Sequence, residues 1–343
     1  MADAHQLLAP RPETGDLIAG ALSMTGVVLT AVAAMIAGLW LFTRYIATKV
    51  ESRIPAIGVF VDVPGARLHY VDRGSRTDDR PPIVMLHGLG GQLHHFNFAL
   101  VDDLARDTRV IAIDRPGSGY SRRDPGRATT LEQQADAVVA LLDALGVDRA
   151  LLVGHSLGGA LSLTVALRHP SRVAGLALLA PLTRAARTLP PVFRGISVRG
   201  EFARRTIAAL FATPMFIVTR QRVMPQIFGP ERIPPGYSTR AGGLLTLRPS
   251  QYIGASQDLG ALGGSLPLIE SRYAELNRDD APPIHVLYGR GDLILDCGLH
   301  GEGFAQRVPG CRLTVIEGGH MLPVTQPDTS ARFIREALER ARA

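Results

Sequence analysis

The chain reads as an α/β protein, a doubly wound and mostly parallel sheet of eight strands with helices on both faces, preceded by one transmembrane helix. Three observations predict this. Short apolar runs bounded by turn residues recur along most of the chain, helix-period segments lie between them, and one 26-residue uncharged run stands near the amino terminus. Strands buried on both faces of a parallel sheet have no solvent side to alternate with, so they read as short continuous apolar runs. Alternation of strand and helix at this spacing fits right-handed crossovers in one sheet.

The elements follow in order. Residues 1–16 are a polar tail, 17–43 the transmembrane helix and 44–56 a linker. Leu17–Phe42 carries no charge. At ~1.5 Å per helical residue it spans ~39 Å, enough to cross a ~30 Å hydrocarbon core. Trp40 and Tyr45 stand at its end beside Arg44, where amphipathic rings favour the interface. Asp3, Glu13 and Asp16 precede the run, and no small-residue cleavage site follows it, so an uncleaved single-pass anchor is expected rather than a signal peptide. Gly26, Thr30, Ala34 and Gly38 form a stripe of small residues, a face for self-association through the span. Arg44, Lys49 and Arg53 against Arg11 place the rest of the chain on the cytoplasmic side by a small margin.

Val59–Val63 and Arg67–Val71 are expected strands joined at Pro64-Gly65. Ile83–Leu86, Val110–Ile113, Ala150–Val153, Leu176–Leu179, Ile284–Tyr288 and Leu313–Ile316 are the buried strands, with helices over Leu131–Leu145, Leu157–His169 and Thr329–Arg340. Leu131, Ala135, Val138, Val139 and Leu142 make one apolar stripe at helical spacing. The alternation breaks once, so residues 57–181 and 281–343 form the two parts of the core and 182–280 an inserted, mostly helical cap rich in proline.

The net charge of +6 has an address: residues 182–275 hold twelve Arg against five acids, and all but one of the 37 basic residues are Arg. No recognition motif accompanies this excess, so nucleic acid is not an expected partner. A composition of 46% hydrophobic and 20% charged residues excludes a disordered chain. The two cysteines, Cys297 and Cys311, are too few for a thiol-rich metal site and are expected as two unpaired, inert thiols.

Chemistry concentrates in four places. Gly154-His155-Ser156-Leu157-Gly158-Gly159 follows a buried strand and opens a helix, which is the setting of a nucleophile elbow. Gly154 and Gly158 leave room where side chains would collide, and the helix N-terminus aims N–H groups at a developing oxyanion. His87-Gly88-Leu89-Gly90-Gly91 follows another strand. The N–H groups of Leu89 and Leu157 would form an oxyanion hole, with His87 fixing the loop by hydrogen bonds. His94 and His95 are expected on the loop or pocket rim, without a third metal ligand. Gly289-Arg290-Gly291-Asp292 places a carboxylate at a strand end, where it can orient an imidazole; Asp296 is its competitor. Gly318-Gly319-His320 supplies a histidine that can take the serine proton. The chain order Ser156, Asp292, His320 is more specific than any member alone.

Together with Asp114-Arg115-Pro116-Gly117-Ser118-Gly119-Tyr120-Ser121, these motifs resemble the α/β-hydrolase superfamily over residues 57–340. The resemblance implies that the 114–121 run is a supporting turn, with His155 and Gly88 beside it as site-supporting residues, and that the insertion is a lid. It implies acyl transfer by Ser156, since the carbon-attacking members carry aspartate at the elbow. The chain looks similar to lid-bearing serine esterases and monoacylglycerol-lipase-like hydrolases, with a small-molecule or lipid ester as substrate, membrane lipids as partners and no metal or organic cofactor. Carbon–carbon bond hydrolases and haloperoxidase-like members share the triad and stand as the alternative, a non-catalytic binding protein as the third reading.

Overall fold

The computed structural model describes residues 14–76, 79–185 and 188–341, and of residues 14–23 the helical backbone alone. Most of the polar tail, with Arg11, and Arg187 of the insertion lie outside the described residues.

Helix α1 (Thr14–Arg53) is the one helix among the described residues long and apolar enough by itself to cross a membrane, with an apolar window of mean hydropathy 2.1 that is entirely unburied. The segment 44–56 is not the linker expected from sequence. Residues 44–53 contain neither Gly nor Pro, so the helix runs on until Pro55 disfavours helical backbone in the residue before it. This extension is docked: Val50 and Ile54 are buried against Leu245 and Leu247 of the insertion.

The strands are β1 (Val59–Val63), β2 (Ala66–Arg73), β3 (Ile83–Leu86), β4 (Val110–Ile113), β5 (Arg122–Arg123), β6 (Ala150–His155), β7 (Val173–Leu179), β8 (Ile284–Gly289) and β9 (Arg312–Ile316). They form one sheet in the order β1-β2-β4-β3-β6-β7-β8-β9, with β5 paired to β2. From β4 to β9 every pairing is parallel; β1–β2, β2–β4 and β2–β5 are antiparallel. The ninth strand, β5, is two residues long and leaves no periodic signal to read. Every residue of β3, β4, β6, β7 and β8 is buried, which requires cover on both faces and explains the continuous apolar runs.

Short helices α2 (His94–Asn97) and α3 (Leu100–Leu104) follow β3, and α4 (Leu131–Ala144) and α5 (Leu157–Arg168) flank β6. Helix α4 opens on a capping box: Thr130 accepts from the Gln133 N–H while the Gln133 side chain reaches back to the N-cap, worth about 1 kcal/mol. The insertion between β7 and β8 has no strand among its described residues. It holds α6 (Glu201–Leu210), α7 (Ala212–Phe228) and α8 (Pro249–Ser271). Helices α6 and α7 meet at 73° and both touch α1. Helix α8 starts on Pro249, whose missing N–H costs nothing in a first turn. It crosses the 114–121 turn so closely that a Cβ on Gly254 would lie 1.9 Å from the Gly117 carbonyl oxygen. Helices α9 (Gly303–Arg307), α10 (Leu322–Thr325) and α11 (Pro327–Arg340) complete the chain.

Candidate active site

Strands β3, β6, β8 and β9 end along the same edge of the sheet, with β7 between β6 and β8, and the four motifs are the loops that leave those ends. In an open parallel sheet this edge is where ligands bind. Between β6 and α5, Ser156 sits at φ +55° and ψ −117°, a conformation that costs a non-glycine residue roughly 1–3 kcal/mol. The surroundings enforce it. The Ser156 N–H donates to Leu179 at 3.1 Å, and its carbonyl accepts from Gly159 and Leu182, both at 2.9 Å. A Cβ on Gly158 would lie 1.9 Å from the Leu86 carbonyl oxygen, and one on Gly154 2.5 Å from that of Gly158, so the elbow closes only on glycine.

The structure brings His320 and Asp292 together. The His320 Nδ1–H donates to Asp292 Oδ2 at 2.7 Å, which leaves the other ring nitrogen, Nε2, for a second partner. The Asp292 side chain is fully buried, and its other oxygen accepts from the Ile294 and Leu295 N–H groups at 2.8 and 2.9 Å. Asp296 instead accepts from the Leu299 N–H at the start of a helical turn, so the competing candidate is otherwise engaged. His155 lies beneath the pair, its ring centroid 5.0 Å from that of His320. Its Nε2–H donates to the His320 carbonyl at 2.9 Å. Burial, and then the charge of His320, hold its pKa well below the usual histidine range, so it stays neutral.

Gly88 is packed on the nucleophile: a Cβ there would meet the Ser156 Cβ at 3.0 Å. Leu89 follows directly, and Leu157 opens α5, so both expected oxyanion donors sit on backbone that flanks Ser156. His87 fastens the loop. Its Nδ1–H donates to the Gly88 carbonyl at 2.8 Å and its Nε2 accepts from the Arg115 N–H at 3.0 Å. Burial and the Arg115 charge hold it neutral. His94 and His95 are not rim residues but buried members of α2, because the insertion covers them. The His95 ring lies 6.1 Å from Tyr237 of the insertion, and burial pushes its pKa down to about 4. Among the described residues no three His, Cys, Asp or Glu side chains are grouped to hold a metal. Cys297 and Cys311 are both unpaired, and burial raises the Cys311 thiol to about 11.

Sequence reasoning missed the polar groups behind the loops. Arg115, wholly buried, binds the His87 and Gly88 carbonyls and pairs with Asp258 of α8. Gln251 of α8 holds the Gly90 and Gly91 carbonyls. Glu231 of the insertion accepts from the Gly319 N–H beside His320. Arg115 lies in a recognisable motif; Gln251, Asp258 and Glu231 are ordinary polar residues in a segment with no pattern that marks them.

A strained serine between a buried parallel strand and a helix, with a buried His–Asp pair on later strand ends, defines a hydrolase-type site. The chain belongs to the α/β-hydrolase family: the family model for the alpha/beta hydrolase fold matches residues 81–327. It is 30% identical over 274 residues to the magnesium-chelatase 30 kDa subunit of Rhodobacter capsulatus, covering 76% of this chain and 88% of that one. It is 39% identical over 127 residues to 2-hydroxymuconate semialdehyde hydrolase of a Pseudomonas species, covering 36% of this chain and 44% of that one. The chain spans under half the length of several curated relatives it matches. Among solved structures it is similar in fold to a bacterial membrane phospholipase A, with a TM-score of 0.64 and 21% identity over 94% of this chain and all of that one.

Proposed function

We propose that the protein is a membrane-anchored serine hydrolase that cleaves carboxylic esters, lipid esters among them, through an acyl-enzyme on Ser156. The observation that carries this reading is the elbow serine at φ +55° combined with the buried 2.7 Å His320–Asp292 pair. In this reading Ser156 Oγ attacks the ester carbonyl as His320 Nε2 takes its proton. Asp292 stabilises the imidazolium, and the Leu89 and Leu157 N–H groups receive the oxyanion. His320 then returns the proton to the leaving alcohol, and the same base activates the water that releases the acid.

The lipid part rests on the insertion. Phe202 and Val218 on the α6–α7 elbow are 85% and 80% exposed, Phe211 and Met215 are exposed beside them, and Arg205, Arg220 and Arg222 flank the patch. The helices that carry this apolar, cationic surface pack against α1 through other residues, Phe216 and Ile217 among them, which supports its resting on the bilayer that α1 would cross. Full burial of one such side chain stabilises by about 1.5–3 kcal/mol, and arginines add attraction to anionic headgroups.

A series of p-nitrophenyl esters from acetyl to palmitoyl, turned over by detergent-solubilised protein, tests this, with S156A as control. Turnover that rises with chain length and vanishes in S156A is expected. Absent ester turnover, with Ser156 still labelled by a fluorophosphonate, would instead favour carbon–carbon bond hydrolysis, the reading that the hydroxymuconate semialdehyde hydrolase relative supports.

A further inference from the structure

We propose that the cap helix α8 is a positioning element of the oxyanion hole, acting through Gln251 and through the Asp258–Arg115 pair. The inference rests on the reading of Ser156 as an acylating nucleophile and adds a role for the insertion beyond covering the site.

The starting point is the geometry of one peptide unit. The Gly88 carbonyl and the Leu89 N–H belong to a single planar trans peptide, so they point in opposite directions and whatever fixes one aims the other. Three donors converge on the Gly88 oxygen. These are the His87 Nδ1–H at 2.8 Å, the Arg115 Nη2–H at 3.0 Å and the Gly91 N–H at 3.1 Å. A carbonyl with three donors behind it cannot rotate without losing several bonds, so the Leu89 N–H on its far side is held in one direction.

Arg115 is in turn held by the cap. Its Nε–H donates to the His87 carbonyl at 2.8 Å, and its Nη1 donates to Gln134 and to Asp258 of α8, each at 2.8 Å. Arg115 and Asp258 are both buried, and Arg123 bonds the second Asp258 oxygen. A guanidinium in this position without its carboxylate would be an uncompensated buried charge. Asp258 therefore keeps Arg115 where it grips the loop.

Seven residues earlier on α8, Gln251 takes the other end of the same loop. Its Nε2 donates to the Gly91 carbonyl at 2.7 Å and the Gly90 carbonyl at 3.2 Å, while its Oε1 accepts from the Gly119 N–H at 2.9 Å. Gln251 is 3% exposed. The loop 87–91 thus has every carbonyl but that of Leu89 held by a named donor, and two of the donor side chains belong to or are fixed by one cap helix. The close passage of Gly254 over Gly117 brings α8 near enough for both.

The test is the rate at which a fluorophosphonate labels Ser156 in the full-length, detergent-solubilised protein, because this reaction needs the oxyanion hole but no particular ester. Gln251→Met keeps length and bulk and removes all three hydrogen bonds; Gln251→Glu keeps the acceptor for Gly119 and turns the donor face repulsive. Misplacing a reacting group by about 1 Å can cost ~100-fold, so a loss of ~10-fold or more is expected for both, larger for Gln251→Glu. Asp258→Asn should fall in the same direction. On p-nitrophenyl butyrate the loss should appear in kcat, with KM within about twofold, whereas a merely structural role would lower the melting temperature and leave the folded enzyme's kcat intact. Wild-type labelling rates in folded Gln251→Met and Gln251→Glu would overturn the proposal. If Asp258→Asn fails to fold, the Gln251 pair decides alone. Failure of the wild type to label at all would sink the reading of Ser156 instead, so the two failures are distinct.

Discussion

Helix α8 and the α6–α7 elbow are parts of one insertion, yet α8 turns Gln251, Ser256, Asp258 and Ser265 into the molecule while the elbow turns Phe202, Met215 and Val218 outward. Helix α8 joins the core through buried polar groups whose geometry admits one arrangement, and each left unpaired would cost the full desolvation of its group. The elbow meets α1 through apolar contact, with Phe216 and Ile217 packed beside Val50 and Ile54, and is tied to α8 by the Arg204–Ser256 hydrogen bond at 3.0 Å. In the proposed reading, such a cap presents an apolar face to lipid while its α8 half holds the loop 87–91.

The scale for any test of this division is set by the triad. S156A should lower kcat on the order of 10⁵–10⁶-fold, and Asp292→Asn about 10⁴-fold through the wrong His320 tautomer. Both should leave folding and vesicle association unchanged, measured by circular dichroism and co-flotation. Residual turnover within tenfold of wild type in S156A would place the chemistry elsewhere and dissolve the comparison.

Acid should act first on the core beneath the cap. His95 lies under Tyr237 of the insertion with its pKa lowered from 6.5 to about 4 by burial. The folded protein therefore binds fewer protons than the unfolded chain between those values. Stability from this group is full above pH 6.5, falls as pH drops toward 4, and levels off below. At about 1.4 kcal/mol per pH unit the loss approaches roughly 3 kcal/mol for His95. His87 and His155 shift the same way and should steepen the fall. Urea midpoints measured from pH 7.5 to 4 would show it; a flat profile would mean these imidazoles are already protonated or exposed in the folded state.

The elbow should respond to lipid and not to pH. Replacing Phe202 and Val218 together by Glu should lower turnover of a vesicle-embedded long-chain ester at least about tenfold, the loss expected if the two side chains together give up only about half of their burial in the bilayer. Turnover of soluble p-nitrophenyl butyrate should stay within about twofold. An equal loss on both substrates would show that the elbow, too, shapes the site.

The same contrast governs what the sequence revealed. The strands and the elbow motif were legible because burial on both faces demands continuous apolar runs, and because Gly154, Ser156 and Gly158 mark a turn that few other residues can form. Asp292 was separable from Asp296 by its distance from the β8 end, and it is Asp292 that holds His320. The docked extension of α1 was not legible, since residues 44–53 pack on the insertion through side chains spaced as on any surface helix. Gln251 and Asp258 stayed hidden for a related reason. A buried polar residue is recognised by its partners, and theirs lie more than 120 positions away.

Glu231 tests where the loop-holding half ends. It follows α7 directly, so by position it belongs to the elbow, but its carboxylate accepts from the Gly319 N–H at 2.7 Å and from Gln326 Nε2 at 2.9 Å. Both donors lie close to His320 in the chain, and Gly319 immediately precedes it. Glu231→Gln replaces one acceptor oxygen by an amide that faces a donor, so one of the two bonds is lost. Because Glu231 is only half-buried, water can reach the loop and soften the effect. A fall in kcat of about threefold is expected, smaller than at Gln251, with KM unchanged, because a hydrogen bond to a charged group is worth roughly 1.5–3 kcal/mol when fully buried and less here. A loss as large as that of Gln251→Met would extend the loop-holding half of the cap to the end of α7, leaving only the α6–α7 bend outside it.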